Sequence, residues 1–129
     1  MIDPYWRKFD LLPYNRNPEG VVDGDTISCL IDLGFHVQSS QRIRLYGVDT
    51  AELRGGTIDT KADARRAKQF VIDWFEGHRS CSDRNKFHFN LQTGKGETFG
   101  RFVGTVQCCN GHDLQAALID NNFSEDYRN

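Results

Sequence analysis

The stretch Gln41-Arg42-Ile43-Arg44-Leu45-Tyr46-Gly47-Val48 decides the fold. Ile43, Leu45 and Gly47 alternate with Arg42, Arg44 and Tyr46, and a period of two marks a strand with one face buried and the other in water. Arg42 and Arg44 then share the solvent face. Upstream, Val21-Val22 leads into Asp23-Gly24, and Thr26 to Leu33 is rich in strand formers until Gly34, which predicts a strand pair or one bent strand. Downstream, Phe87, Phe89 and Leu91 alternate with His88 and Asn90, and Gly94-Lys95-Gly96 turns the chain toward a second strand over Phe102 to Gln107.

Helical periodicity appears twice. Ala67, Phe70, Val71, Trp74 and Phe75 fall on one face of a helix predicted over Thr60 to Glu76, with Thr60 and Asp63 resembling a capping box and Gly77 as its stop. Asn110-Gly111 marks a turn, and Asp113 is placed to cap a short helix carrying Leu114, Ala117 and Leu118. Tyr5 to Asn17 has no sustained period beyond a short strand near Trp6 to Leu11. The order of short strands and two to three helices predicts a mainly β, α+β fold: a five-stranded Greek-key barrel of the oligonucleotide-binding (OB) kind. A split α+β sheet would give a similar pattern. The expected organisation is an N-terminal extension over residues 1–20, partly ordered, and one barrel domain over residues 21–129.

The 129 residues suffice for one domain with its own core, and 38% hydrophobic against 26% charged residues is a globular composition. A net charge of −2 excludes a protein that coats nucleic acid through overall basicity, so such contacts must be local. Arg42, Arg44, Arg54, Lys61, Arg65, Arg66 and Lys68 supply a local basic stretch. No apolar run approaches the roughly 20 residues that cross a bilayer, and Met1 to Asp10 lacks the pattern of a signal peptide. The expectation is a cytoplasmic protein, or the mature part of a secreted one, monomeric and with no membrane partner. Cys29, Cys81, Cys108 and Cys109 form no C-x-x-C pair and read as free thiols rather than a disulfide or metal framework. His36, His78, His88 and His112 lack ligand-like spacing.

Three polar motifs stand at strand ends. Each has a plain reading: Asp23-Gly24-Asp25-Thr26 as a hairpin turn, Asp49-Thr50-Ala51-Glu52 as a polar loop, Phe99-Gly100-Arg101 as a solvated arginine before a strand. Together they describe phosphodiester hydrolysis. Asp25, Asp49 and a backbone carbonyl of the second loop offer hard oxygen ligands to a divalent cation, and calcium suits an open, flexible oxygen site. Glu52 can hold or deprotonate the attacking water. Arg44 and Arg101 can each donate forked hydrogen bonds to phosphate oxygens as charge grows in a five-coordinate transition state.

The run Val22-Asp23-Gly24-Asp25-Thr26, then Arg42 to Glu52, then Gly100-Arg101 resembles the staphylococcal nuclease family in identity, order and spacing, from about Val21 to Ser124. The resemblance implies calcium ligands at Asp25, Asp49 and the Thr50 carbonyl, and a catalytic trio of Arg44, Glu52 and Arg101. It also implies cleavage of DNA and RNA to 3′-phosphates. The chain departs from the family at Ala51, where a proline is usual, and at Thr98 and Phe99, where a well-known member has Lys and Tyr. Phe99 can still stack on a base, and Tyr127 is left to play the part of the family's base-packing tyrosines. The alternatives are a noncatalytic nucleic-acid- or protein-binding module on the same barrel, and a partner-binding protein unrelated to nucleic acid.

Overall fold

Alternating apolar residues build strands whose inner faces fill one barrel. In the computed structural model, which describes residues 5–13, 20–51, 58–79, 87–95 and 102–128, these are β1 (Arg7–Leu11), β2 (Val21–Asp23), β3 (Thr26–Gly34), β4 (Val37–Leu45), β5 (Phe89–Lys95) and β6 (Phe102–Cys108). Two helices, α1 (Ile58–His78) and α2 (Leu114–Asp120), complete the described elements. The sheet order is β1-β5-β6-β4-β3-β2, and a further β1–β3 pairing closes five strands into a mixed, OB-like barrel. Among the described residues the one parallel pair is β4 with β6, where Ile43 stands opposite Phe102 and Leu45 opposite Gly104. The other pairings are antiparallel.

The barrel extends upstream of Val21, where the domain was expected to begin. Arg7–Leu11 bridges β3 and β5, with Phe9 opposite both Ile31 and Phe89. Phe9 is fully buried and meets Phe75 edge-on, with ring centroids 6.3 Å apart. Arg79, just past α1, donates to both carboxylate oxygens of Asp10 at 2.7 Å. The irregular composition around this strand hid its role, because a five-residue strand carries too few alternations to stand out.

Most of the expected periodic face of α1 is buried: Ala67, Val71, Trp74 and Phe75 lie in the core, joined by Ala64, and Phe70 packs against it half-buried. The helix is longer than its signals. It starts at Ile58, two residues before Thr60, so Thr60 lies inside the first turn rather than capping it, and it continues through Gly77 to His78. Tertiary burial of the apolar face outweighs the weak preference of one glycine against helix. Asp113 does cap α2, its side chain accepting from Ala116 N–H at 3.0 Å. Gln115, wholly buried, holds α2 to β6 by donating to the Gly104 carbonyl at 2.9 Å and accepting from Val106 N–H at 3.2 Å.

The reading of all four cysteines as free thiols needs correction. Cys29 and Cys108 are free and buried, whereas Cys109 is disulfide-bonded; Cys81 lies outside the described residues. Consecutive residues at a strand end face opposite sides, so Cys108 enters the core and Cys109 turns away from it. Burial, and secondarily the Asp10 charge, push the Cys29 thiol well above its ordinary range. Cys29 and Cys108 are therefore expected to ignore a thiol reagent at neutral pH and to react once denaturant unfolds the barrel. Prompt labelling of the native chain would contradict this packing.

Candidate active site

The site is assembled from two turns at one end of the β3–β4 pair. Asp23 pairs with Thr26, so Gly24 and Asp25 form the two-residue tip of the β2–β3 hairpin. A Cβ on Gly24 would lie 2.7 Å from both Ala67 Cβ and Thr50 Oγ1. Only glycine lets this turn nest against α1 and the loop after β4. That approach buries Asp25 to 2% exposure, and a carboxylate out of water needs partners. It has three: Thr50 N–H donates to Oδ2 at 3.0 Å, Arg44 Nη1 lies 2.5 Å from Oδ2, and the Thr26 hydroxyl donates to Oδ1 at 3.2 Å.

Arg44 reaches this carboxylate from the outer face of β4, as the alternation predicts. It stands opposite Thr26 on one side and Val103 on the other. Its Nη2 donates to the Val48 carbonyl at 3.2 Å and faces Asp49 Oδ1 at 3.4 Å. Partial burial pulls the guanidinium pKa down, but hydrogen bonds and charges from Asp25 and Asp49 outweigh it and raise the value. Arg44 stays cationic at any working pH.

β4 ends at Leu45, and Gly47, with φ +76°, turns the chain so that Val48 enters the core, Asp49 points out and Thr50 is buried. A side chain at Gly47 would also collide with Arg128. The C-terminal segment clasps this loop: Tyr127 N–H donates to the Gly47 carbonyl and Asp49 N–H to Ser124 Oγ, both at 2.8 Å. The Ser124 hydroxyl in turn donates to the Glu125 carbonyl at 2.6 Å. Ser124→Ala is expected to cost about 1 kcal/mol in chemical denaturation, because it removes the acceptor that fixes Asp49. An unchanged midpoint would show that water replaces it.

Arg44, Tyr46, Gly47, Asp49, Val103 and Tyr127 line an open cleft of about 400 Å³. The Tyr127 hydroxyl donates to the Glu125 carboxylate at 3.1 Å, and this bond, followed by the Glu125 and Asp49 charges, raises its pKa. Thr50 Oγ1 is buried without a hydrogen-bond partner among the described residues.

Of the residues expected from sequence, Asp25, Arg44, Asp49 and Thr50 come together, and Tyr127 lines the cleft with Arg44 and Asp49. Glu52, Thr98, Phe99 and Arg101 lie outside the described residues. In sequence, Glu52 follows Ala51, and Arg101 precedes Phe102, which stands opposite Ile43. Among the described residues no three His, Cys, Asp or Glu side chains form a metal cluster; the local carboxylates are Asp25 and Asp49. Sequence reading missed Ser124, Glu125 and Val103, whose roles depend on long-range packing that no local pattern signals. Compared by sequence, the chain matches no family model and no curated protein.

Proposed function

We propose that this chain is a calcium-dependent phosphodiesterase of the staphylococcal nuclease type that hydrolyses DNA and RNA. The observation that carries the reading is the meeting of Asp25 and Asp49 on the guanidinium of Arg44, with Thr50 N–H donating to Asp25, from two turns far apart in sequence. Both carboxylates reach one guanidinium, and their hard oxygens fit a calcium ion in donor chemistry. Asp25, Asp49 and the Thr50 carbonyl would hold it. When bound, such an ion supplies Lewis-acid polarisation of a phosphate oxygen.

The chain's own groups do the rest. Arg44, fixed by the Val48 carbonyl and flanked by carboxylates, presents planar donors to the nonbridging oxygens of a phosphate in the cleft. Its charge counts most where negative charge accumulates in the transition state. Glu52 is assigned to hold the attacking water and take its proton, and Arg101 to be the second phosphate donor. Thr98, Phe99 and Tyr127 are assigned to the bound strand, with Phe99 and Tyr127 as stacking surfaces.

The test is degradation of single-stranded DNA and RNA at mildly alkaline pH, with millimolar calcium or with EDTA. Cleavage is expected with calcium alone, and Glu52→Gln is expected to slow it at least about a hundredfold, the scale of a general base. Intact substrates in calcium would sink the reading. Salt-sensitive oligonucleotide binding without turnover would replace it by a noncatalytic module.

A further inference from the structure

The β3–β4 hairpin turns through Phe35 and His36, both with positive φ, 54° and 62°. A two-residue turn between twisted strands favours this left-handed pair, which is why Asn-Gly or Gly-Gly commonly fills it. A residue with a large side chain is strained there. Phe35 recovers none of that strain by packing, being 99% exposed. Nothing among the described residues explains an apolar ring held at a strained position in water.

Phe35 is not isolated. Of the six large hydrophobic side chains exposed among the described residues, five gather at this end of the barrel: Tyr5, Trp6, Leu33, Phe35 and Val37. The register brings them together. Phe9 stands opposite Ile31, so β1 runs back toward Leu33 and the turn, with Tyr5 and Trp6 just before its first residue. Arg7 and Leu33 both line a cavity of about 140 Å³, with Ile31, Ile43, Leu91 and Phe102. The tip projects past the last β1–β3 pair. Seven residues of β4 at about 3.3 Å each separate Val37 from Arg44, so this end is no part of the phosphate cleft.

The geometry points to docking of this barrel end on an anionic lipid surface. Phe35, Leu33 and Val37 form the inserting tip, while Tyr5 and Trp6 are amphipathic rings of the kind that settle at the headgroup level. Arg7, which lines a cavity with Leu33, and Lys8 next to it in sequence bring two positive charges to this end against the carboxylate of Asp32, which accepts from Gly34 N–H, and this excess complements anionic headgroups. A second copy docked by a two-fold axis would set these cations near their own equivalents, an unfavourable pairing. A nucleic-acid strand would stack on the rings but gain little from Leu33 and Val37. No described helix is long and apolar enough to cross a membrane, and a surface contact needs none.

The experiment mixes the full chain with phosphatidylcholine vesicles with and without phosphatidylglycerol, and reads pelleting and tryptophan fluorescence. Trp74 is 7% exposed and Trp6 41%, so a blue shift reports Trp6. Binding and a blue shift are expected with phosphatidylglycerol. Phe35→Ser should lower the bound fraction at least about tenfold, and Arg7→Gln with Lys8→Gln should remove the preference for anionic vesicles. Phe35→Asn with His36→Gly, which suits the turn, should melt higher than the parent yet bind less, so misfolding cannot account for the loss. The proposal is overturned if the parent binds neither vesicle, if Phe35 variants pellet like the parent, or if sedimentation velocity shows a dimer that Phe35→Ser dissolves. None of these readouts depends on nuclease activity.

Discussion

Arg44→Ala is expected to lower phosphodiesterase turnover by about a hundredfold to a thousandfold, the scale of removing one preorganised donor at a developing oxyanion, and to destabilise the fold by about 2–3 kcal/mol. The two losses have different causes. Turnover falls on the proposed reading because the forked donor to phosphate is gone. Stability falls because Asp25, with its side chain 3% exposed, loses the cation 2.5 Å away, and a buried charge without its partner is costly. Arg44 itself is 30% exposed at its side chain, which keeps the figure at the low end.

Two companion variants separate these effects. Arg44→Lys keeps a charge near Asp25 but loses the planar fork, so it should recover part of the stability and little of the turnover. Asp25→Asn placed in the Arg44→Ala background should be more stable than Arg44→Ala alone, since it removes the stranded charge. Urea denaturation of the four proteins, with initial rates on single-stranded DNA, checks both. A double variant less stable than Arg44→Ala would show that Asp25 matters through hydrogen bonds to Thr50 and Thr26 rather than through its charge.

Phe9→Ala is expected to cost about 3–5 kcal/mol, the range for deleting a buried aromatic ring. Against a typical domain stability of about 5–15 kcal/mol, that approaches the loss of the fold. Phe9 sits on the strand that joins β3 to β5 and so closes the barrel. Its ring packs against Phe75 of α1 and Phe89 of β5, with centroids 6.3 and 5.8 Å away. Removing it opens a cavity where helix and barrel meet, and stiff strands on both sides limit collapse. Phe9→Leu, which fills most of the volume, should lose much less. A melt of Phe9→Ala within about 1 kcal/mol of the parent would mean that β1 is dispensable to closure.

The parts of the fold legible in sequence were those with enough periods to count. The alternation of β4 and the apolar face of α1 each depend on local stereochemistry: side chains repeat every two residues in a strand and every 3.6 in a helix. The limits of α1 were less legible, because burial of Ala64 and Trp74 counts for more than a single Gly77. β1 was faint for its shortness, and its part in closing the barrel involves residues 18 or more positions away.

The candidate site divides in the same way. The sequence by itself determined which chemistry is on offer: carboxylates at Asp25 and Asp49, a guanidinium at Arg44 on the solvent face, and a turn where Gly24 stands; Gly47, expected within the strand, turns the chain two residues after β4 ends. Only the tertiary structure decided that Asp25 is buried, that Thr50 N–H and Arg44 share its Oδ2, and that Ser124, 75 residues downstream, fixes Asp49. It also decided that Tyr5 and Trp6 stand at the same barrel end as Phe35. The physical reason is one of range. Residue type and period are fixed within a few bonds, whereas burial, the pairing of charges and the gathering of exposed rings depend on which distant strands the closed barrel sets side by side.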